Sequence, residues 1–253
     1  MGKKGGLNRL KRMHAPVHWP VAHKRFQWAP KTVPGPHPIA TSTPLTIALM
    51  EMLGYAESRR EVKFPISEGR VKIDGRVVND PRFPIGYMDV LEIPDAKACY
   101  RALPHPKKGL ILHSIGDDEK TFKLCKIRGK KTLRQGRVQL SLHDGRTILL
   151  GEKAQKGADE PPYKPDDVLV IKLPTGQIIG DVRFSDGAYA LIVGGKNRGS
   201  LGRIRQISKV EGTARSMVII ETDEGKHLQS YRSNIFVVGQ ERPLISLPGV
   251  VLR

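Results

Sequence analysis

RVKIDGRVVNDPRFPIGYMDVLEI, residues 70–93, reads as a set of short paired strands. Val71 and Ile73 alternate with Arg70, Lys72 and Asp74, the period-two pattern of a strand with one buried face. Asp74-Gly75 is the dipeptide that suits a two-residue hairpin turn, where both residues need positive φ. Val77-Val78 brings the chain back, and Met88 to Ile93 supplies a further strand closed by Pro94.

Upstream the period changes. Thr43-Pro44 reads as an N-cap followed by proline at the first helical position. Leu45, Ala48, Leu49, Met52 and Leu53 then fall at helical spacing until Gly54. A second short helix starts at Ser58, uses Val62 and Ile66, is made irregular by Pro65 and ends at Gly69. Together these elements predict a small α+β module over residues 43–94.

Downstream the pattern is almost wholly β. Candidate strands are Tyr100–Leu103, Gly109–His113, Thr121–Ile127, Arg137–Leu142, Thr147–Leu150, Val168–Lys172 and Gln177–Val182, with a polar loop over 151–166. Ala188–Val193, Gly202–Ser208, Met217–Thr222 and Ile235–Val238 continue the series, and the last residues are extended and broken by proline. The 26 Gly and 19 Pro favour small modules with many turns over one large core. The expected fold is mainly β, multi-domain, with small barrels or sheets: a tail over 1–42, the α+β module over 43–94, a central β domain over 95–180 and a terminal β domain over 181–253.

Charge points to the partner. The net charge of the 253 residues is +18, the electrostatic footprint of a nucleic-acid binder. Residues 1–50 contribute +8, 51–94 contribute −1, 95–160 contribute +7 and 161–253 contribute +4. The first fifty residues hold eight bases (Lys3, Lys4, Arg9, Lys11, Arg12, Lys24, Arg25 and Lys31) and no acid. Seven prolines between 16 and 44 exclude a long helix there. Such a segment is expected to be an extended basic tail that orders only on a polyanion, with His18 and Trp19 available to stack on bases. RNA is the polyanion that fits.

Two further basic runs stand out. Residues 120–143 include Lys123, Lys126, Arg128, Lys130, Lys131, Arg134 and Arg137 with no acid, which favours an RNA contact over a solvated strand face of mixed sign. ALIVGGKNRGSLGRIRQIS, residues 190–208, runs from a strand through Gly194-Gly195 into a loop bearing Lys196, Asn197 and Arg198, then past Gly199 and Gly202 to Arg203 and Arg205. Its glycines allow close approach of backbone to phosphate. In the α+β module Arg59, Arg60, Lys63, Arg70, Lys72 and Arg76 are candidate phosphate contacts, set against Glu57, Glu61, Glu68 and Asp74, which they could instead balance.

Residues 190–208 resemble the KOW motif, and 43–94 resemble the S4 RNA-binding module. The order of the parts resembles ribosomal protein S4e across essentially the whole chain: APVHW at 15–19, the S4-like module, HDGRTI at 143–148, the KOW-like segment and SNIFVVG followed by ISLPG between 233 and 249. The short end after ISLPG is closer to the archaeal form. The resemblance implies a KOW (SH3-like) barrel and a structural constituent of the small ribosomal subunit, in the cytoplasm within the ribosome. It implies small-subunit rRNA and neighbouring ribosomal proteins as partners, with no cofactor, metal, membrane or small-molecule substrate.

Rival readings are a KOW-bearing transcription or assembly factor and an RNA-modifying enzyme carrying an S4 module. No P-loop, GxSxG or HExxH occurs, and Asp117-Asp118-Glu119 and His143-Asp144 are read as turns, so no enzyme is expected. Cys99 and Cys125 form no CxxC pair, and their spacing with His105 and His113 fits no metal-ligand pattern. No apolar run reaches the length of a membrane span.

Overall fold

The computed structural model describes residues 10–21, 24, 26–134, 137–150, 163–208, 216–223 and 225–248. Among them three five-stranded antiparallel sheets dominate, as the mainly-β reading expects. The first runs, in spatial order, Arg76–Val77, Lys72–Ile73, Val90–Ile93, Ala98–His105 and Gly109–Ser114. The second runs Thr147–Leu150, Val138–Leu142, Phe122–Thr132, Val168–Lys172 and Ile178–Val182. The third runs His227–Tyr231, Met217–Glu221, Leu201–Ser208, Tyr189–Ile192 and Ile235–Gly239. Of these strands only His227–Tyr231 has no counterpart in the sequence reading; its polar HLQSY alternates too weakly to signal a buried face.

The Asp74-Gly75 turn forms as expected, with φ of 53° and 73°. The helix Arg59–Ser67 begins at Ser58, whose Oγ accepts from the Glu61 amide at 3.4 Å while Glu61 reaches back to the Glu57 amide at 3.0 Å. The Ser58 hydroxyl, which donates to the Glu61 carboxylate at 2.6 Å, and then the Glu57 amide hold that carboxyl below its usual range. The first helix differs from expectation. Thr43–Pro44 pairs as a strand with Pro84–Ile85, and the helical segment is α over Leu45–Ile47 and π over Ala48–Met52.

The expected boundary at 94/95 cuts through a sheet. Pro94–Ala96 is one turn of 3-10 helix, and Val90–Ile93 pairs directly with Ala98–Arg101. Proline halts a strand, but one tight turn restores pairing. The modules also share a core: Met88, Leu103, Leu124, Val168 and Val182 pack in one cluster with the third sheet. The C-terminal segment is tied in by Ile245 and Leu247, both buried, and by Ser246, whose amide and hydroxyl donate to the Glu119 carboxylate at 3.0–3.1 Å.

The tail departs from the extended reading over its described part. Leu10–Lys11 pairs with Trp28–Ala29. Trp19, expected to stack on bases, is 5% exposed, packs with Ala29 and Ile47, and donates its indole N–H to the Ser42 carbonyl at 2.7 Å. The apolar ring found a protein pocket because Ile47 leaves an apolar face of the first helix open beside it. Removing a buried Trp ring costs about 3–5 kcal/mol. In Trp19→Ala, limited proteolysis is therefore expected to cut within residues 10–42 faster than in the wild type; equal rates would show that the ring does not anchor the tail.

Candidate nucleic-acid interface

Phe122–Thr132 decides which cations can reach a ligand. Its inner half pairs with Val168–Lys172 and its outer half with Val138–Leu142, and the register shifts between Ile127 and Gly129. Residues 123–127 are all buried, whereas Arg128, Lys130 and Lys131 are exposed. Arg134 and Arg137, at the tip of the hairpin, are exposed as well. The outer hairpin thus exposes five cations and no acid among 128–137, while Val138, Leu140 and Leu142 of its second strand stay in a buried cluster.

The inner half corrects two expected RNA contacts. Lys123, 1% exposed, lies 2.7 Å from Asp74, 2.5 Å from Asp89 and 3.4 Å from Asp144. Lys126, 7% exposed, donates to the carbonyls of Arg232, Ser233 and Ile235 and pairs with Asp166 at 2.9 Å. Both ammonium groups are spent inside the protein. A clue existed in sequence: Lys123 and Lys126 are interleaved with Leu124, Cys125 and Ile127, while residues 128–132 contain no apolar side chain.

Around Lys123 the chain builds a buried ionic cluster from four segments. Arg146 donates to Asp74 at 2.7 Å and lies 3.1 Å from Asp144, and His37 of the tail bonds Asp89 at 2.9 Å. Asp89 also accepts from the Gly86 amide, and Asp74 from the Val90 amide. Burial opposes charge on Asp89 and Asp144, but Lys123 and the neighbouring cations hold both carboxyls below the usual carboxylate range. Burial likewise opposes the Lys123 charge, and Asp89 and Asp74 overcome it and raise its pKa. Sequence reading took Asp74-Gly75 and Asp144-Gly145 as turns. They are turns, yet each turns its carboxylate inward.

Beside this cluster His143 is half-buried with both ring nitrogens engaged: Nδ1 with the Lys126 amide at 3.2 Å and Nε2 with the Tyr87 carbonyl at 3.1 Å. An amide donor on Nδ1 requires a neutral ring. Burial first, then the Lys123 charge, lowers the His143 pKa to about 4. Cys125, His143 and Asp144 offer ligand atoms within 4.8 Å of one another. The Lys123 ammonium supplies the positive charge there, and burial raises the Cys125 thiol well above its usual value, so these donors suit the ionic cluster better than a metal.

The other candidates divide by exposure. Lys11, Lys24, Arg60, Lys63, Arg76, Lys196 and Arg203 are exposed. Arg70 and Arg205 are exposed but paired, with Glu68 at 2.6 Å and Glu221 at 3.3 Å respectively. Arg12 and Arg59 are half-buried and donate to the Val21 and Trp28 carbonyls. Asn197 donates to the Gln229 carbonyl at 3.3 Å, and half-buried His18 bonds the Ser42 carbonyl. Lys72 and Arg198 are half-buried. Lys3, Lys4, Arg9 and Arg25 lie outside the described residues.

Comparison with known proteins agrees with this layout. Family models described as the RS4NT (NUC023) domain, the S4 domain and ribosomal family S4e match residues 4–40, 48–91 and 96–178. The small ribosomal subunit protein eS4 of Aeropyrum pernix is 42% identical, covering 98% of both chains. The chain belongs to the ribosomal family S4e. The eS4 protein of Methanothermobacter thermautotrophicus is 38% identical over 95% of this S4e chain and 96% of its own length. The crystal structure of the 30S ribosomal protein S4e from Thermoplasma acidophilum, 28% identical, superposes with a TM-score of 0.66 over 79% of this chain and 96% of that one.

The buried cluster generates two tests. Lys123→Met leaves three carboxylates without their ammonium and should cost about 3–5 kcal/mol in denaturant unfolding. Adding Asp74→Asn and Asp89→Asn should restore part of that loss; strictly additive losses would disprove the coupling. The unfolded chain protonates His143 near pH 6.5, whereas the native ring resists until about pH 4. Stability should therefore fall as pH drops from about 6.5 to about 4, and His143→Gln should flatten the slope in that window.

Proposed function

We propose that this S4e chain is a structural constituent of the small ribosomal subunit that holds small-subunit rRNA through cations distributed over its surface. The observation that carries the reading is the partition of one basic run: Lys123 and Lys126 build the interior, and Arg128, Lys130, Lys131, Arg134 and Arg137 are exposed on a hairpin without a carboxylate. A protein ribbon of this charge suits a phosphate backbone, neutralising phosphates and releasing counterions. The activity proposed is binding and stabilisation, with no catalytic step. Its place is the ribosome, beside other small-subunit proteins.

The tail, the hairpin and the glycine-rich loop at Lys196–Arg198 act as separate contacts. The five-stranded sheet that carries that loop, four consecutive strands with Ile235–Gly239 returning beside Tyr189–Ile192, supports the KOW-like reading of 190–208. The S4 module has a net charge of −1 over 51–94 and contributes orientation more than charge. Arg60, Lys63 and Arg76 are its exposed bases that no carboxylate pairs among the described residues.

On a cell-extract gradient the tagged chain should sediment with free small subunits and whole ribosomes; comigration with RNA polymerase instead would favour a transcription factor. Neutralising Arg128, Lys130 and Lys131 to Ala should lower the salt slope of rRNA binding by roughly 0.7–0.9 per lost contact. An unchanged slope would remove the hairpin from the interface.

A further inference from the structure

A cleft of about 370 Å³ opens where the tail, the S4 module, the hairpin base and the third sheet meet. Thr41, Tyr87, Arg128, Gly194, Arg198 and Asn234 line it. The volume falls within the range of about 300–1,000 Å³ typical of small-molecule sites and is too small for a duplex. Arg128 continues into a neighbouring groove of about 790 Å³ along Lys31–Ile39, so the cleft opens onto a basic surface.

Its charges are unevenly spent. Within the lining, Asp166 is paired with Lys126 at 2.9 Å and Arg232 at 2.6 Å, and His37 is bonded to Asp89. His143, also on the wall, is held neutral by its two backbone partners. By contrast, Arg128 and Arg198 of the lining make no hydrogen bond or ion pair among the described residues. Arg198 even buries its Nε without a partner, beside Tyr87. A buried guanidinium donor left open is costly to a folded chain unless something supplies an acceptor. Two open guanidinium groups and the half-buried ring of Tyr87 in one cleft fit one phosphate with one attached base.

We propose that this cleft receives a single unpaired, everted nucleotide of the bound RNA, its phosphate between Arg128 and Arg198 and its base against Tyr87. The proposal rests on the RNA-binding reading and refines it. The surface cations recognise backbone shape, and this cleft recognises a break in base pairing.

The test uses the full chain and two RNA hairpins with the same stem, one with a single bulged fluorescent purine analogue and one fully paired. The wild type should bind the bulged hairpin about tenfold more tightly, the effect of one stacked base, with a change in the analogue's fluorescence. Arg128→Ala/Arg198→Ala should abolish that preference. Thr41→Phe, which fills the cleft and keeps every charge, should abolish it too, with its unfolding midpoint confirming the fold. Lys130→Ala/Lys131→Ala, on the hairpin, should weaken both RNAs alike. Equal wild-type affinity for the two hairpins, or a preference that survives both cleft variants, would overturn the proposal while leaving general RNA binding intact. Binding of neither RNA would overturn the cleft and the RNA-binding reading together.

Discussion

Lys123 is the interaction on which the rest of the structure depends. Its ammonium, 1% exposed, is surrounded by carboxylates from the S4-module hairpin, the loop before Val90 and the turn after Leu142. Removing a lysine charge from water is expensive, and only close carboxylates with further hydrogen bonds offset the cost. Each carboxylate is accordingly bonded again: Asp74 to Arg146, Asp89 to the Gly86 amide and His37, and Asp144 to the Arg146 amide. The cluster fixes how the first sheet, the second sheet and the tail meet. Apolar packing alone is tolerant of small rotations; a charge network with short distances is not.

A second buried cation repeats the device at the next junction. Lys126 caps the carbonyls of the turn at Arg232–Ile235, joining the second sheet to the third. Arg101, fully buried, donates to the Glu119 and Phe122 carbonyls and lies 3.9 Å from the Glu119 carboxylate that binds Ser246. Burial lowers the Arg101 pKa to about 10, still leaving it charged at neutral pH. A protein of small sheets has little core per sheet, and buried ion pairs at their junctions add orientation where apolar area is limited.

The same arrangement separates interior from interface. Because the bases nearest the core are neutralised within the protein, the surface excess concentrates on the outer hairpin, the tail and the glycine-rich loop. In the proposed function, RNA binding draws on cations held by a folded scaffold, which reduces the ordering cost of the interface before RNA arrives. The docked Trp19 extends that rigidity into the tail, where sequence composition suggested a chain without structure of its own.

The features legible in sequence are local: strand periodicity, the Asp74-Gly75 and Asp144-Gly145 turns, the helix start at Ser58, the net charge of +18, and the order of motifs by which the family could be recognised. Each depends on neighbours a few residues apart or on composition. Tertiary structure decided which lysines are buried and which stay exposed. In the run from Lys120 to Arg137 every base carries the same formal charge, and strand alternation cannot separate Lys123 from Lys130, because the inner half of the strand is buried on both faces. Lys123 became an interior residue only because Asp74, Asp89 and Asp144, between 21 and 49 residues away, converge on it. Electrostatic energy depends on distance in space, and burial multiplies it.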